Sequence, residues 1–179
     1  FVKNLRAVRF RDTYQQASFQ NLLDQFDQTS ELIGRQKDLL KELAGSSKYA
    51  DRVKILESVP GIGWLSAMEI LLELQDVARF QSADALAAYV GLTPSQHSTG
   101  ERVRMGRITR QGKPTVRTLL IQASWRLIDT DPAMEQKYER IKKRAGGKRA
   151  IVAVARTLVI RMRRILLDQQ MYQLGLVSG

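Results

Sequence analysis

The 179 residues include no cysteine and one histidine, His97. Disulfides, thiol catalysis and cysteine-based zinc sites are excluded, and a histidine metal cluster or histidine-based triad has too few members. No apolar run approaches the ~20 residues of a membrane helix, and no secretory layout opens the chain. A cytoplasmic chain without a membrane partner is therefore expected. The first residue is Phe1, inside an apparent helix, which points to a piece of a longer protein. Apolar residues make up 44%, enough for one medium domain, or a smaller one with an extension.

Acidic residues are scarce in one region only. Residues 96–164 hold 18 Lys and Arg against 5 Asp and Glu, a balance of +13, while the remainder balances at −2. A polyanionic partner is the natural reading. A membrane surface competes with it, but the basic segments alternate with buried-looking helices and lack an interfacial aromatic face.

The chain is organised around Val59-Pro60-Gly61-Ile62-Gly63-Trp64-Leu65-Ser66-Ala67. Apolar residues at helical spacing flank it on both sides. Pro60 stops the first helix, and Gly61 and Gly63 permit angles and close approaches that a Cβ forbids. The second helix then opens with free N–H groups that suit a phosphate. The pattern resembles the helix-hairpin-helix of DNA binders that ignore sequence, whose Gly-Ile-Gly amides touch the sugar-phosphate backbone. That resemblance makes Gly61, Ile62 and Gly63 candidate contacts over a helix-hairpin-helix at 51–75. The plain alternative is a helical corner with a glycine cap.

Upstream, Phe19, Leu22, Phe26, Thr29, Ile33, Gln36, Leu40 and Leu43 follow alternating steps of three and four, a heptad seam with two polar members. A coiled coil between protomers or a hairpin with an upstream helix would bury it; packing on the chain's own domain is the alternative. Gly45-Ser46-Ser47 marks a joint, giving a helical segment at 1–48 and a domain at 49–170. Glu69 and Glu73 lie one turn apart, a spacing more often solvated than metal-binding. Ser82 caps a helix from Ala83 to Val90. A turn-rich loop, 92–100, precedes a glycine-punctuated basic run with Arg102, Arg104, Arg107, Arg110 and Lys113. The stretch near 95–113 reads as a basic loop or short strands suited to a phosphate backbone. Helices are expected from Pro114 to Ile128, from a cap at Asp129 or Thr130 to Arg144, and from Arg149 to Leu167. Trp125 is expected on the core side, Arg156, Arg161, Arg163 and Arg164 on the exposed side, and the tail after Met171 loose. The fold class is all-α, mainly helical.

Three blocks stand in one order: Val-Pro-Gly-Ile-Gly at 59–63; Ala-Ala-Tyr-Val-Gly-Leu-Thr-Pro at 87–94 with Ser98-Thr99-Gly100; and Gly-Arg-Ile-Thr-Arg-Gln-Gly at 106–112 followed by Val116-Arg117-Thr118-Leu119-Leu120. Together they resemble the C-terminal transposase domain of the 110/116/902 insertion-sequence family. The resemblance implies a bacterial recombinase, nucleoid-associated, that moves a mobile element through DNA. Family members carry an N-terminal RuvC-like domain with acidic metal ligands; Mg2+ is expected there and no cofactor in this stretch. They also use a serine before a glycine of this domain as nucleophile, which selects Ser98 or, one position on, Thr99. Without its acidic partner domain the stretch is expected to bind nucleic acid but not cleave it. Arg102, Arg104 and Arg107 are candidate transition-state cations, Arg110, Lys113 and Arg117 candidate backbone contacts, and His97 a weaker proton-shuttle candidate. DNA, a structured guide RNA and a second copy paired through residues 19–43 are the implied partners. A non-catalytic helix-hairpin-helix module is the alternative function.

Overall fold

The computed structural model describes residues 2–99, 102–108 and 112–175, and for 94–108 the backbone alone. The chain divides into two compact units, Phe1–Leu43 and Ala44–Gly179.

In the first unit α1 (Val2–Arg6) is followed by α2 (Thr13–Ala44), a helix of 32 residues and thus about 48 Å long. Arg6 donates to both Asp27 carboxylate oxygens at 2.6 and 2.8 Å, and Phe10 meets Phe19 edge-on at 5.2 Å. The seam residues Leu22, Phe26, Ile33 and Leu43 are exposed.

Among the described residues the second unit is helical with one β-hairpin. Its elements are α3 (Ala50–Glu57), α4 (Trp64–Leu74), a 3-10 turn (Val77–Arg79), α5 (Ala83–Val90), β1 (Pro94–Thr99), β2 (Arg102–Ile108), α6 (Pro114–Thr130), α7 (Pro132–Ala145) and α8 (Gly147–Asp168). α8 is the central element. Ala150, Ile151, Val154, Ala155, Leu158, Val159, Met162 and Leu166 recur at steps of three and four and are buried. They pack α8 against α3, α5, α6, α7 and the 3-10 turn. Ser82 caps α5 by accepting from the Ala85 amide, and Gly91 ends it at φ +80°.

Several expectations are corrected. Residues 94–99 are a strand, not a turn-rich loop: Pro94 sits at a strand's first position, where its missing donor is tolerated. The cap of α7 is Asp131, whose carboxylate accepts from the Ala133 and Met134 amides. Trp125 is half-exposed and meets Tyr138 edge-on at 5.7 Å. Arg161 is buried, because Asp131 is fully buried beside it and accepts its guanidinium at 2.8 Å.

The tail is not loose through its described length. Tyr172 is buried, its hydroxyl donates to Asp131 at 2.7 Å, and its amide donates to Ser58 Oγ at 2.8 Å. The Gly175 amide donates to the other Asp131 oxygen at 3.2 Å. Burial alone would raise the Asp131 pKa; the bonds from Tyr172 and Gly175 and the Arg161 charge outweigh it and leave it below the ordinary value. Burial and the adjacent carboxylate push the Tyr172 phenol up.

Candidate nucleic-acid interface

The bend between α3 and α4 is built from alternating buried and exposed positions. Val59 and Ile62 are buried while Gly61 and Gly63 face solvent. Ile62 is turned inward twice over, since its amide also donates to the Val59 carbonyl at 3.1 Å. The two glycines differ. Gly61 has φ +88°, and a Cβ there would lie 2.9 Å from Arg126 Cβ and 3.0 Å from Ala123 Cα, so the bend rests directly on α6. Gly63, the N-cap of α4, has open space where a Cβ would go. The first amides of α4 have no carbonyl partner within their helix. Arg126 is exposed and makes no ion pair among the described residues. Sequence reasoning missed it, because its nearness to Gly61 spans 65 positions.

The hairpin is antiparallel, pairing Thr99 with Arg102, Ser98 with Val103, His97 with Arg104 and Gln96 with Met105, with an irregularity between Pro94 and Gln96. Arg107 also lies on β2, and Arg110 lies outside the described residues.

The root of the hairpin is fixed on both sides. Gly112, at φ +140°, passes so close to α5 that a Cβ would lie 2.5 Å from the Tyr89 carbonyl oxygen. Lys113 forms a 2.8 Å ion pair with Glu73, which also accepts from the Tyr89 hydroxyl at 3.1 Å. The Lys113 ammonium holds the Glu73 carboxyl below its ordinary range, and Glu73 raises Lys113 in return. Arg117 donates to the Val90 carbonyl at 3.3 Å. Arg156 reaches Thr93 at 3.4 Å and Asp84 at 2.8 Å. Lys113 and Arg117 thus have partners inside the fold, and the sequence-predicted contacts separate into a bend set and a hairpin set. One helix joins them: Lys113 precedes α6 and Ala123 lies ten residues on, about 15 Å along its axis.

Among the described residues no group of three or more Asp, Glu or His could hold a metal ion, and no helix is long and apolar enough to cross a membrane. The sequence profile of the transposase IS116/IS110/IS902 family matches residues 53–139. Over just under half of its length the chain is therefore similar to that transposase family. The matched stretch runs from α3 through the bend, the hairpin and α6 into α7. The chain is 30% identical, over 81% of its length, to a transposase for insertion sequence element IS1111A of Coxiella burnetii, covering 40% of that protein. It is 34% identical, over 55% of its length, to a probable family 20 transposase of Pseudomonas aeruginosa, covering 29% of it. A pilin gene-inverting protein of Moraxella bovis is 29% identical over 60% of this chain, 34% of its own length. The chain therefore spans less than half of each of these relatives.

Proposed function

We propose that this chain is the C-terminal part of a bacterial insertion-sequence transposase that holds DNA by its backbone and supplies a hydroxyl nucleophile for strand exchange. The family match across the bend and hairpin is the observation that carries the reading. Its electrostatic support is the +13 balance of residues 96–164. At the bend, exposed Gly61 and Gly63, the open amides of α4 and Arg126 receive one phosphate in the manner of a helix-hairpin-helix. At the hairpin, Arg102, Arg104 and Arg107 on β2 contact a second stretch of backbone, and Arg110, outside the described residues, is a further candidate. A structured guide RNA presents the same phosphate chemistry and is the second polyanion partner.

In the strand-exchange step the Ser98 hydroxyl oxygen attacks a phosphodiester phosphorus. A bond forms from Oγ to phosphorus, and one phosphorus–oxygen ester bond breaks. The hydroxyl proton passes to a base, and the departing strand oxygen takes up a proton. A serine hydroxyl is a weak nucleophile without a base or metal beside it. An acidic Mg2+ site in a RuvC-like partner domain would supply that help, and the hairpin arginines would neutralise the developing charge. Thr99 is the alternative nucleophile; it is the cross-strand partner of Arg102, whereas Ser98 pairs with Val103. The exposed seam of α2 pairs with a second copy.

The test is covalent trapping by full-length protein on its element's ends. Ser98→Ala is expected to abolish the protein–DNA adduct and Thr99→Val to retain it. The reverse pattern assigns the role to Thr99. An adduct that survives both changes overturns the nucleophile assignment, and no adduct with wild type favours a non-catalytic binding module.

A further inference from the structure

Trp125 does not follow the core line of α6. Val116, Leu120, Ala123 and Leu127 recur at steps of four and three and are buried, whereas the indole is 50% exposed. It is the one exposed aromatic side chain among the described residues of the second unit. Its exposed neighbours one turn away on α6 are Gln122 and Asp129, so it does not belong to an apolar stripe. The indole is nonetheless held in place. The buried Tyr138 ring of α7 meets it edge-on at 5.7 Å. Lys142, one turn along α7, sets its ammonium 5.4 Å from the centroid of that same ring. The Tyr138 hydroxyl lies 3.2 Å from where a Cβ on Gly147 would stand, so the start of α8 closes on the ring as well. Tyr138 thus joins the indole to the α7–α8 corner. From Arg140 to Arg149 that corner holds six Lys and Arg, all exposed, and no Asp or Glu. The Lys142 ion pair with Glu139, at 2.9 Å, is itself exposed and therefore weak.

We propose that Trp125 is a stacking platform for a base of an unpaired DNA strand whose phosphates run along the α7–α8 corner. The site rests on the reading that this chain binds nucleic acid. An exposed ring takes a base only when that base has left its own stack, which selects an unpaired strand over a duplex. The indole is already backed by Tyr138, so stacking on it costs little conformational freedom. The cations of the corner attract the backbone that carries the base. A purely apolar partner would match the indole and not the six cations; an unpaired strand matches both.

The experiment measures the affinity of the 179-residue chain for an unpaired oligothymidylate of about 20 nucleotides and for a duplex of equal length, across a salt series. Trp125→Ala is expected to weaken oligothymidylate binding about tenfold and duplex binding by less than about twofold, with Trp125→Phe between wild type and Trp125→Ala. Stacking releases no counterions, so the salt slope of Trp125→Ala should match wild type. Lys142→Gln with Lys148→Gln should instead lower the single-strand slope by about 0.7 for each lost phosphate contact. The chain has two tryptophans. In a Trp64→Phe background, oligothymidylate is therefore expected to quench the Trp125 emission, a readout that carries the test if Trp125→Ala does not fold. Equal losses on both ligands, or a loss on neither, overturn the platform and leave the function above standing if wild type binds duplex in a salt-sensitive way. A loss confined to an oligouridylate RNA of the same length overturns the assignment to DNA. A lower sedimentation mass for Trp125→Ala with unchanged strand affinity gives the indole to a second copy of the chain and also overturns it. Absence of salt-sensitive wild-type binding to either ligand overturns both readings.

Discussion

At Gly61 one hydrogen atom stands where any other residue would place a methyl group against Ala123 and Arg126. The positive φ adds backbone strain for a side chain. Gly61→Ala is expected to destabilise the fold by about 1–3 kcal/mol. Gly63→Ala should cost well under ~1 kcal/mol, a small N-cap penalty, because no atom lies near. Urea unfolding of the pair checks this; equal losses would contradict the packing of the bend on α6. Asp131 is the second decisive residue. Asp131→Ala leaves Arg161 buried without its partner and is expected to cost about 3–5 kcal/mol in the same measurement. The depressed carboxylate pKa fixes the sign of the pH dependence. Its stabilisation is present above the ordinary carboxylate value of about 4 and is lost as pH falls through the lower folded value. The raised Tyr172 phenol acts oppositely: its share is present below about pH 10 and is lost above it. Stability of the wild type should therefore fall at both extremes.

The apolar seam of α2 is a property of the element. Leu22, Phe26, Ile33 and Leu43 stay exposed along one heptad line, with Thr29 and Gln36 placed to set register. Ile33→Asp with Phe26→Asp is expected to turn an associating chain into a monomer in sedimentation equilibrium; an unchanged mass would contradict the paired helix. Helices were the legible part of this sequence, because their signals are local. Ser82 with Gly91 bounds α5, Pro114 opens α6, and the apolar spacing of α8 is regular over its whole length. The hairpin was half-legible: alternation at 102–105 favours a strand, but Pro94, Ser95 and Gly100 drew attention to turns. The buried Arg161 and the docked Tyr172 were illegible. Both depend on Asp131, and no local pattern reports a partner 30 or 41 positions away. Among the site residues, Gly61 could be read from the motif, whereas Lys113 pairing with Glu73 and Arg126 beside the bend arise only when the helices pack.

For the whole molecule, the proposed function gives this chain the DNA grip and the nucleophile and leaves the metal site to a partner domain. The basic surface belongs to this chain, while the described residues offer no carboxylate cluster for a metal. Under the proposed function the isolated 179-residue chain with Mg2+ is expected to leave labelled DNA intact in a gel assay, and strand cleavage would contradict the need for a partner domain. The central claim is that bend, α6 and hairpin grip a polyphosphate through charge and backbone amides. The most direct measurement is the affinity of the wild-type chain for a labelled duplex between low and physiological salt. The account predicts tight binding that weakens steeply and linearly in log–log form, with a slope equivalent to several phosphate contacts. Binding that is absent at low salt, or indifferent to salt, would contradict it.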